Sequence, residues 1–235
     1  VSIPEEKAYL FQTEVPSTEQ KAIEQNIEFK LEENVPLAPG DAVFYFDLLP
    51  RSVTGGALRA SVSVVPRTYI EHYMRLIQDA GLQTVSFEVV PKAVARAVIQ
   101  TGSDKARLII HAMNRKTGIY IVSGNVVHFT FTGGWGTHSG GDSPNRPGGD
   151  GTNFPAASEL RKEISRIRSY WVSHGNGMPI DEAVLVGKDA DLIEPVLSRM
   201  DEGANGMSVR TADVWCNAMN LDKYLPAISR TDSLE

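Results

Sequence analysis

The chain of 235 residues carries a formal charge of −6, which argues against nucleic acid as its main partner, because phosphate binding wants a basic surface. Its one cysteine, Cys216, excludes a disulfide within the chain. No apolar run approaches the ~20 residues of a membrane span, which argues against direct membrane insertion, and no signal-peptide pattern occurs at Val1. An apolar content of 42% is enough for one large domain or two small ones. The chain opens without Met on Val1-Ser2-Ile3-Pro4, which reads as the tail of a strand and suggests a fragment of a longer protein.

A second extended segment, Ala8–Val15, sets Tyr9, Phe11 and Val15 on one side. Ser17-Thr18-Glu19-Gln20 reads as a capping box, with the serine hydroxyl taking a backbone N–H and Gln20 reaching back. The helix it starts runs to about Glu33, and Ile23, Ile27 and Leu31 draw one apolar stripe along it. Pro36 and Pro39-Gly40 end it. Ala42–Leu49 is a strand, Gly55-Gly56 a hairpin tip and Leu58–Val65 the returning strand. A helix follows from Pro66 to Ala80, with Ile70, Tyr73, Met74 and Ile77 on one face and Gly81 as its C-cap. Thr84–Val90 reads as a strand, and Pro91–Gln100 as a helix burying Val94, Ala97 and Val98.

The centre of the chain is a meander of three strands, Arg107–Ala112, Gly118–Ser123 and Val126–Thr132. Its turns are Met113–Thr117 and Gly124-Asn125. The third strand alternates, with Val127, Phe129 and Phe131 on one face and His128, Thr130 and Thr132 on the other. It ends in Gly133-Gly134. The stretch 135–155 is Gly, Ser, Asp, Asn and Pro with little to bury, so it reads as a flexible loop. Ala156–Ser173 is a helix with Leu160, Ile164, Ile167 and Trp171 at helical spacing. Arg161, Lys162, Arg166 and Arg168 lie on its other face and read as a solvated surface. Glu182–Gly187 is a buried strand, Asp191–Met200 a helix and Ser208–Val214 a strand. The alternation of strands and helices predicts an α/β or α+β fold.

Catalytic chemistry is scarce. His72, His111, His128, His138 and His174 form no pair at metal-ligand spacing, and a single cysteine cannot build a thiolate site. There is no P-loop and no nucleophile elbow. Asp142 and Asp150 fall in the polar loop. A stand-alone α/β enzyme using 135–155 as a lid lacks a nucleophile or base.

Three stretches, kept in order, resemble the PilM family of cytoplasmic actin-like proteins of type IV pilus assembly. The first is Ile27–Leu37 followed by the strand Ala42–Leu49. The second is Val62–Arg67 through Ala80-Gly81-Leu82. The third is the meander ending Phe129–Gly134, with Glu159–Ile164 in the later helix. The resemblance spans most of the chain. It implies actin-like (ribonuclease H-like) α/β lobes, with residues 1–16 and 91–105 as a remnant of the first lobe. Residues 17–90 would be an inserted α+β subdomain and 106–235 the second lobe. The family's first hairpin and phosphate turn would lie before Val1.

In actin-like proteins the turn after the first strand of the second lobe supplies an acid, then Gly, then a hydroxyl, for metal and phosphate. The matching run here is His111–Thr117. His111 stands at the acid position and Met113 at the Gly position, and Thr117 keeps the hydroxyl. Magnesium prefers hard oxygen to imidazole, and Met113 crowds backbone that must approach phosphate. Arg115 and Lys116 in the turn could attract an anion. Under the adenosine the family has a Gly-rich turn, where this chain keeps Gly187. Thr117 and Gly187 are thus the candidate nucleotide residues, vestigial on this reading.

The resemblance therefore implies a non-catalytic scaffold, a pseudo-ATPase needing no cofactor. It would sit in the cytoplasm at the inner membrane, bind the cytoplasmic tail of a PilN-like membrane protein, and meet the pilus assembly ATPase. The alternative is an actin-like ATPase that binds ATP and magnesium and switches or polymerises. Phe44, Phe46 and Tyr69 are the candidate partner-binding residues, since a groove beside a strand edge can hold an extended peptide.

Overall fold

The computed structural model describes residues 1–16, 19–49, 57–113, 116–124, 126–134, 157–174, 178–198 and 206–217. The Gly55-Gly56 tip, the loop 135–155, the hydroxyl residues of the capping box and the tail beyond Asn217 lie outside them, as does Arg115. The chain divides into two units, Val1–Ala93 with Val126–Phe129, and Val94–Asn125 with Thr130–Glu235.

The first unit opens with β1 (Ser2–Ile3), followed by β2 (Tyr9–Val15), α1 (Gln20–Asn34), β3 (Ala42–Leu48), β4 (Leu58–Pro66), α2 (Arg67–Asp79) and β5 (Glu88–Val89). Strands β2, β4 and β3 form an antiparallel sheet in that order, with Phe11 opposite Val62 and Val62 opposite Phe46. Alternation gives the sheet two unlike faces. One carries Phe11, Val15, Ala60, Val62, Val64, Phe44 and Phe46, packed with Ile23, Ile27 and Leu31 of α1. Full burial of each of those three helix residues is worth about 1.5–3 kcal/mol. The other face mixes apolar residues such as Val65 with polar ones. Arg59 Nη2 donates to Gln12 Oε1 at 2.5 Å. Gln12 Nε2 donates to the His128 carbonyl at 3.0 Å, and Ser61 Oγ donates to the Val127 carbonyl at 2.7 Å.

Several local readings change. The first helix begins at Gln20 with Glu19 as N-cap, so Gln20 is not the third helical residue of a capping box. Its amide nitrogen donates forward to Glu24 Oε1 at 2.8 Å. The segment read as the strand Thr84–Val90 pairs only at Glu88–Val89, alongside Ser2–Ile3. Val85 is 96% exposed, so that run lacks a second surface to hold it as a strand. Gly81, at φ 73°, ends α2: its N–H bonds the Gln78 carbonyl and that of Leu82 bonds the Ile77 carbonyl, the paired closure a left-handed glycine allows.

The helix α3 (Val90–Val98) straddles the division of the chain. The second unit contains β6 (Arg107–Met113), β7 (Lys116–Ser123), the end of β8 (Val126–Gly133), α4 (Ala157–His174), β9 (Glu182–Val186), α5 (Ala190–Ser198) and β10 (Ser208–Thr211). The sheet order is β10-β9-β6-β7-β8. Strand β6 is antiparallel to β7 and parallel to β9, and β9 is parallel to β10. Leu108–Ala112 is buried throughout, as expected of a strand covered on both faces. Glu182 anchors one end of the sheet: Arg107 Nε bonds one carboxylate oxygen and Arg210 Nε the other at 2.8 Å. In α4 the apolar stripe is buried as its spacing predicts. Its cations are not simply solvated, because Arg161 Nε donates to the Val196 carbonyl at 2.9 Å and Arg168 Nη2 to that of Ile180 at 3.3 Å.

Candidate functional site

Two places in the fold hold the residues singled out from the sequence. The first is the end of β6 where the meander turns. His111 lies opposite Gly118 of β7 and opposite Val186 of β9. It is buried, and Tyr120 Oη sits 3.3 Å from its Nδ1. Tyr120 can reach it because residue 118 has no side chain. A Cβ at Gly118 would stand 2.2 Å from that hydroxyl, so the phenol occupies the glycine's space. Burial, with the nearby Lys116 charge adding to it, pushes the His111 imidazole from 6.5 down to about 4. It is neutral at pH 7.

Thr117 and Gly187 come to this same end, on either side of Ala112. Thr117 is fully buried opposite Ala112 in the ladder. Gly187 follows β9 with φ 103°, and a Cβ there would lie 2.2 Å from the Ala112 carbonyl oxygen and 3.2 Å from His111 Cδ2. The glycine is thus required by the close approach of the β9–α5 turn to β6. Asp189, in the same turn, is buried.

At the position compared above with the family's acid, His111 presents a nitrogen base, buried and 3.3 Å from the Tyr120 hydroxyl, where magnesium would want a hard oxygen. The hydroxyl-bearing Thr117 is sealed inside the sheet. Among the described residues no group of three or more His, Cys, Asp or Glu is placed to hold a metal ion.

The second place is a groove of about 590 Å³ in the first unit. Gln20, Ile23 and Glu24 of α1 form one wall, and Phe44, Phe46 and Leu48 of β3 the other, with Tyr45 at its margin. Phe44 and Phe46 are half-buried: each rests on the α1 core and shows an edge to the groove. Tyr69 is not with them. It packs on the cluster of Ile3, Val65 and Val89, with Lys7 Nζ 5.6 Å from its ring centroid. Val65 alternates out of the face that holds Val62 and Val64, so Tyr69 belongs to the far side of the sheet. On that side Lys92 Nζ bonds Asp47 Oδ2 at 2.5 Å and lies 4.1 Å from the Tyr45 ring centroid.

Sequence reasoning missed the tie between His111 and Tyr120, although a glycine two residues before a tyrosine inside a strand was its signal. It also missed Glu24, whose place opposite β3 follows only from the packing of α1.

A meander whose first strand is continued on its other side by two successive parallel strands is the ribonuclease H-like arrangement, and the chain has the actin-like α/β fold. The solved structure of the PilM–PilN type IV pilus biogenesis complex superposes with a TM-score of 0.69 at 17% identity, over 93% of this chain and 70% of that one. The cytoplasmic domain of EpsL, an inner membrane component of the type II secretion system of Vibrio cholerae, gives 0.43 at 14% identity, over 63% and 56%. A Bacteroides thetaiotaomicron protein of actin-like ATPase fold and unknown function gives 0.41 at 8% identity, over 89% and 66%. No protein-family profile and no curated protein sequence matches the chain. Among the described residues no helix is long and apolar enough to cross a membrane.

Proposed function

We propose that this chain is a non-catalytic scaffold of a type IV pilus or related secretion assembly, holding the cytoplasmic tail of an inner-membrane, PilN-like partner. The observation that carries the reading is His111. A buried, neutral imidazole bonded to Tyr120 stands where an actin-like ATPase needs an accessible carboxylate. Support for a peptide-binding role comes from the groove beside β3, which offers apolar side chains and a strand edge. The scaffold would lie in the cytoplasm at the inner membrane through its partner, and the pilus assembly ATPase is a further partner on this reading.

Calorimetric titration of ATP with Mg²⁺ into the chain should give no detectable heat, whereas a PilN-type tail peptide should be retained in a pull-down. Mg²⁺-dependent ATP binding at micromolar concentration would overturn the scaffold reading in favour of a working actin-like ATPase.

A further inference from the structure

We infer that a second copy of this chain docks on the outward face of α2, with the two α2 helices antiparallel about a twofold axis at Tyr73. Self-association of this kind lies outside the scaffold reading and does not depend on it.

The helix is held on one side only. Tyr69 and Ile70 pack on the cluster of Ile3, Val65 and Val89, yet no residue of α2 is buried. With about 3.6 residues per turn, the side turned away from that cluster carries Arg67, Glu71, Arg75 and Asp79, one at every fourth position. All four are exposed. Alternating charge at this spacing ordinarily forms pairs along one helix. Here it does not: among the described residues none of the four is in a salt bridge. Arg75 Nε donates instead to the Glu71 carbonyl at 3.4 Å.

Turned end for end, the row meets itself with every sign reversed. In an antiparallel pair centred on Tyr73, Glu71 faces Arg75 of the second copy and Arg67 faces Asp79 of the second copy. The twofold axis makes each contact twice. A parallel pair would set arginine on arginine and carboxylate on carboxylate, so charge selects the orientation. Arg67 is already fixed by the Gly40 and Ala42 carbonyls, at 2.9 and 3.2 Å, so the Glu71–Arg75 pairs carry the contact. Apolar surface borders the row. Met74, 50% exposed, is one residue from the centre, so the methionines of the two copies would meet beside the axis. Leu76, 52% exposed, flanks the row on its other side.

Sedimentation equilibrium of the whole chain should show a monomer–dimer equilibrium that weakens as salt is raised. Glu71→Arg and Arg75→Glu should each weaken the dimer about tenfold or more, because each sets like charges together twice. Combined in one chain they should restore it, since the row then still meets its complement end for end. That recovery also separates loss of the contact from loss of folding. The two single variants, mixed, should form a heterodimer. Thr68 and Gln78 lie equally far from Tyr73 along the helix. With Cys216→Ser removing the native thiol, Thr68→Cys mixed with Gln78→Cys should form a disulfide across the pair, and neither alone should.

A chain that stays monomeric up to ~100 μM overturns the inference. So do single variants that dimerise as well as the unaltered chain, or a double variant that fails to recover. Thr68→Cys cross-linking to its own copy overturns it too, because only parallel helices would bring those positions together.

Discussion

Tyr120 contacts His111 diagonally: its own ladder partner is Ile109, yet its hydroxyl reaches Nδ1 of His111 at 3.3 Å by lying across Gly118. Burial, with the Lys116 charge nearby, makes the folded protein hold a neutral imidazole. With its pKa lowered from 6.5 to about 4, His111 binds a proton in the unfolded chain before it does so in the folded one. Stability from this group is complete above pH 6.5 and declines as the pH falls toward 4, by about 3 kcal/mol in all. Urea midpoints measured across that window should fall with pH, and His111→Gln should flatten the slope. An unchanged slope in the variant would show that the imidazole titrates freely.

Gly118→Ala places a methyl where the phenol lies, so it should destabilise the sheet by about 2 kcal/mol or more through overpacking. Truncating the ring removes the obstacle. In Tyr120→Ala the added cost of Gly118→Ala should shrink below about 1 kcal/mol, a coupling that a double-mutant cycle by chemical denaturation reads directly. Additive losses would mean that the two side chains do not share the space.

Two glycines with similar backbone angles should respond differently to alanine. At Gly187, φ is 103° and the new Cβ would meet the Ala112 carbonyl, so strain and collision add to more than about 3 kcal/mol. At Gly81, φ is 73° but nothing lies within 4 Å of the added atom, which leaves about 1 kcal/mol of backbone cost. Equilibrium unfolding of the two variants side by side should give that order.

Glu182 joins Arg107 and Arg210. Burial raises its carboxyl, but hydrogen bonds and charge from the two guanidiniums outweigh that and hold it below its usual value. The stabilisation is present above the ordinary carboxylate pKa and is lost as pH falls through the depressed one. Glu182→Gln should therefore lower the thermal midpoint at pH 7, with the gap to the unaltered chain closing in acid. A gap that persists at low pH would assign the effect to packing.

Asn217 ties the end of α3 to the turn after it. Its Nδ2 donates to the Arg96 carbonyl at 2.9 Å and the Ile99 carbonyl at 2.5 Å, and its Oδ1 accepts from the Thr101 hydroxyl at 3.2 Å. Asn217→Ala leaves those helix-end carbonyls to water, at a cost of about 1–2 kcal/mol. Amide exchange in residues 96–101 should quicken in the variant, and identical exchange rates would deny the tie a stabilising role.

The sequence was most legible where one period ran undisturbed. Ile23, Ile27 and Leu31, and later Leu160, Ile164, Ile167 and Trp171, are buried as their spacing requires. The meander was legible because β-branched runs were broken by Asn and Gly. Thr84–Val90 misled because its composition suits a strand while only Glu88–Val89 finds a partner. Arg161 and Arg168 misled in the other direction: charge patterning cannot see a carbonyl thirty-five or twelve residues away. For the site, His111, Thr117 and Gly187 were visible in the chain, and the fold brings them to one end of β6. The separation of Tyr69 from Phe44 and Phe46 was not, because it depends on which face of the sheet each helix covers.

Strand β6 has one neighbour close in sequence and one far from it. The hairpin with β7 can zip as soon as both leave the ribosome, while the parallel partner β9 is made only after the whole stretch from Met113 to Glu182. Until then the flank of β6 meant for β9 is a sticky, incomplete edge on a nascent polypeptide. Mutations that slow the arrival of β9 should therefore show first as aggregation during synthesis, before any loss of stability in the finished protein.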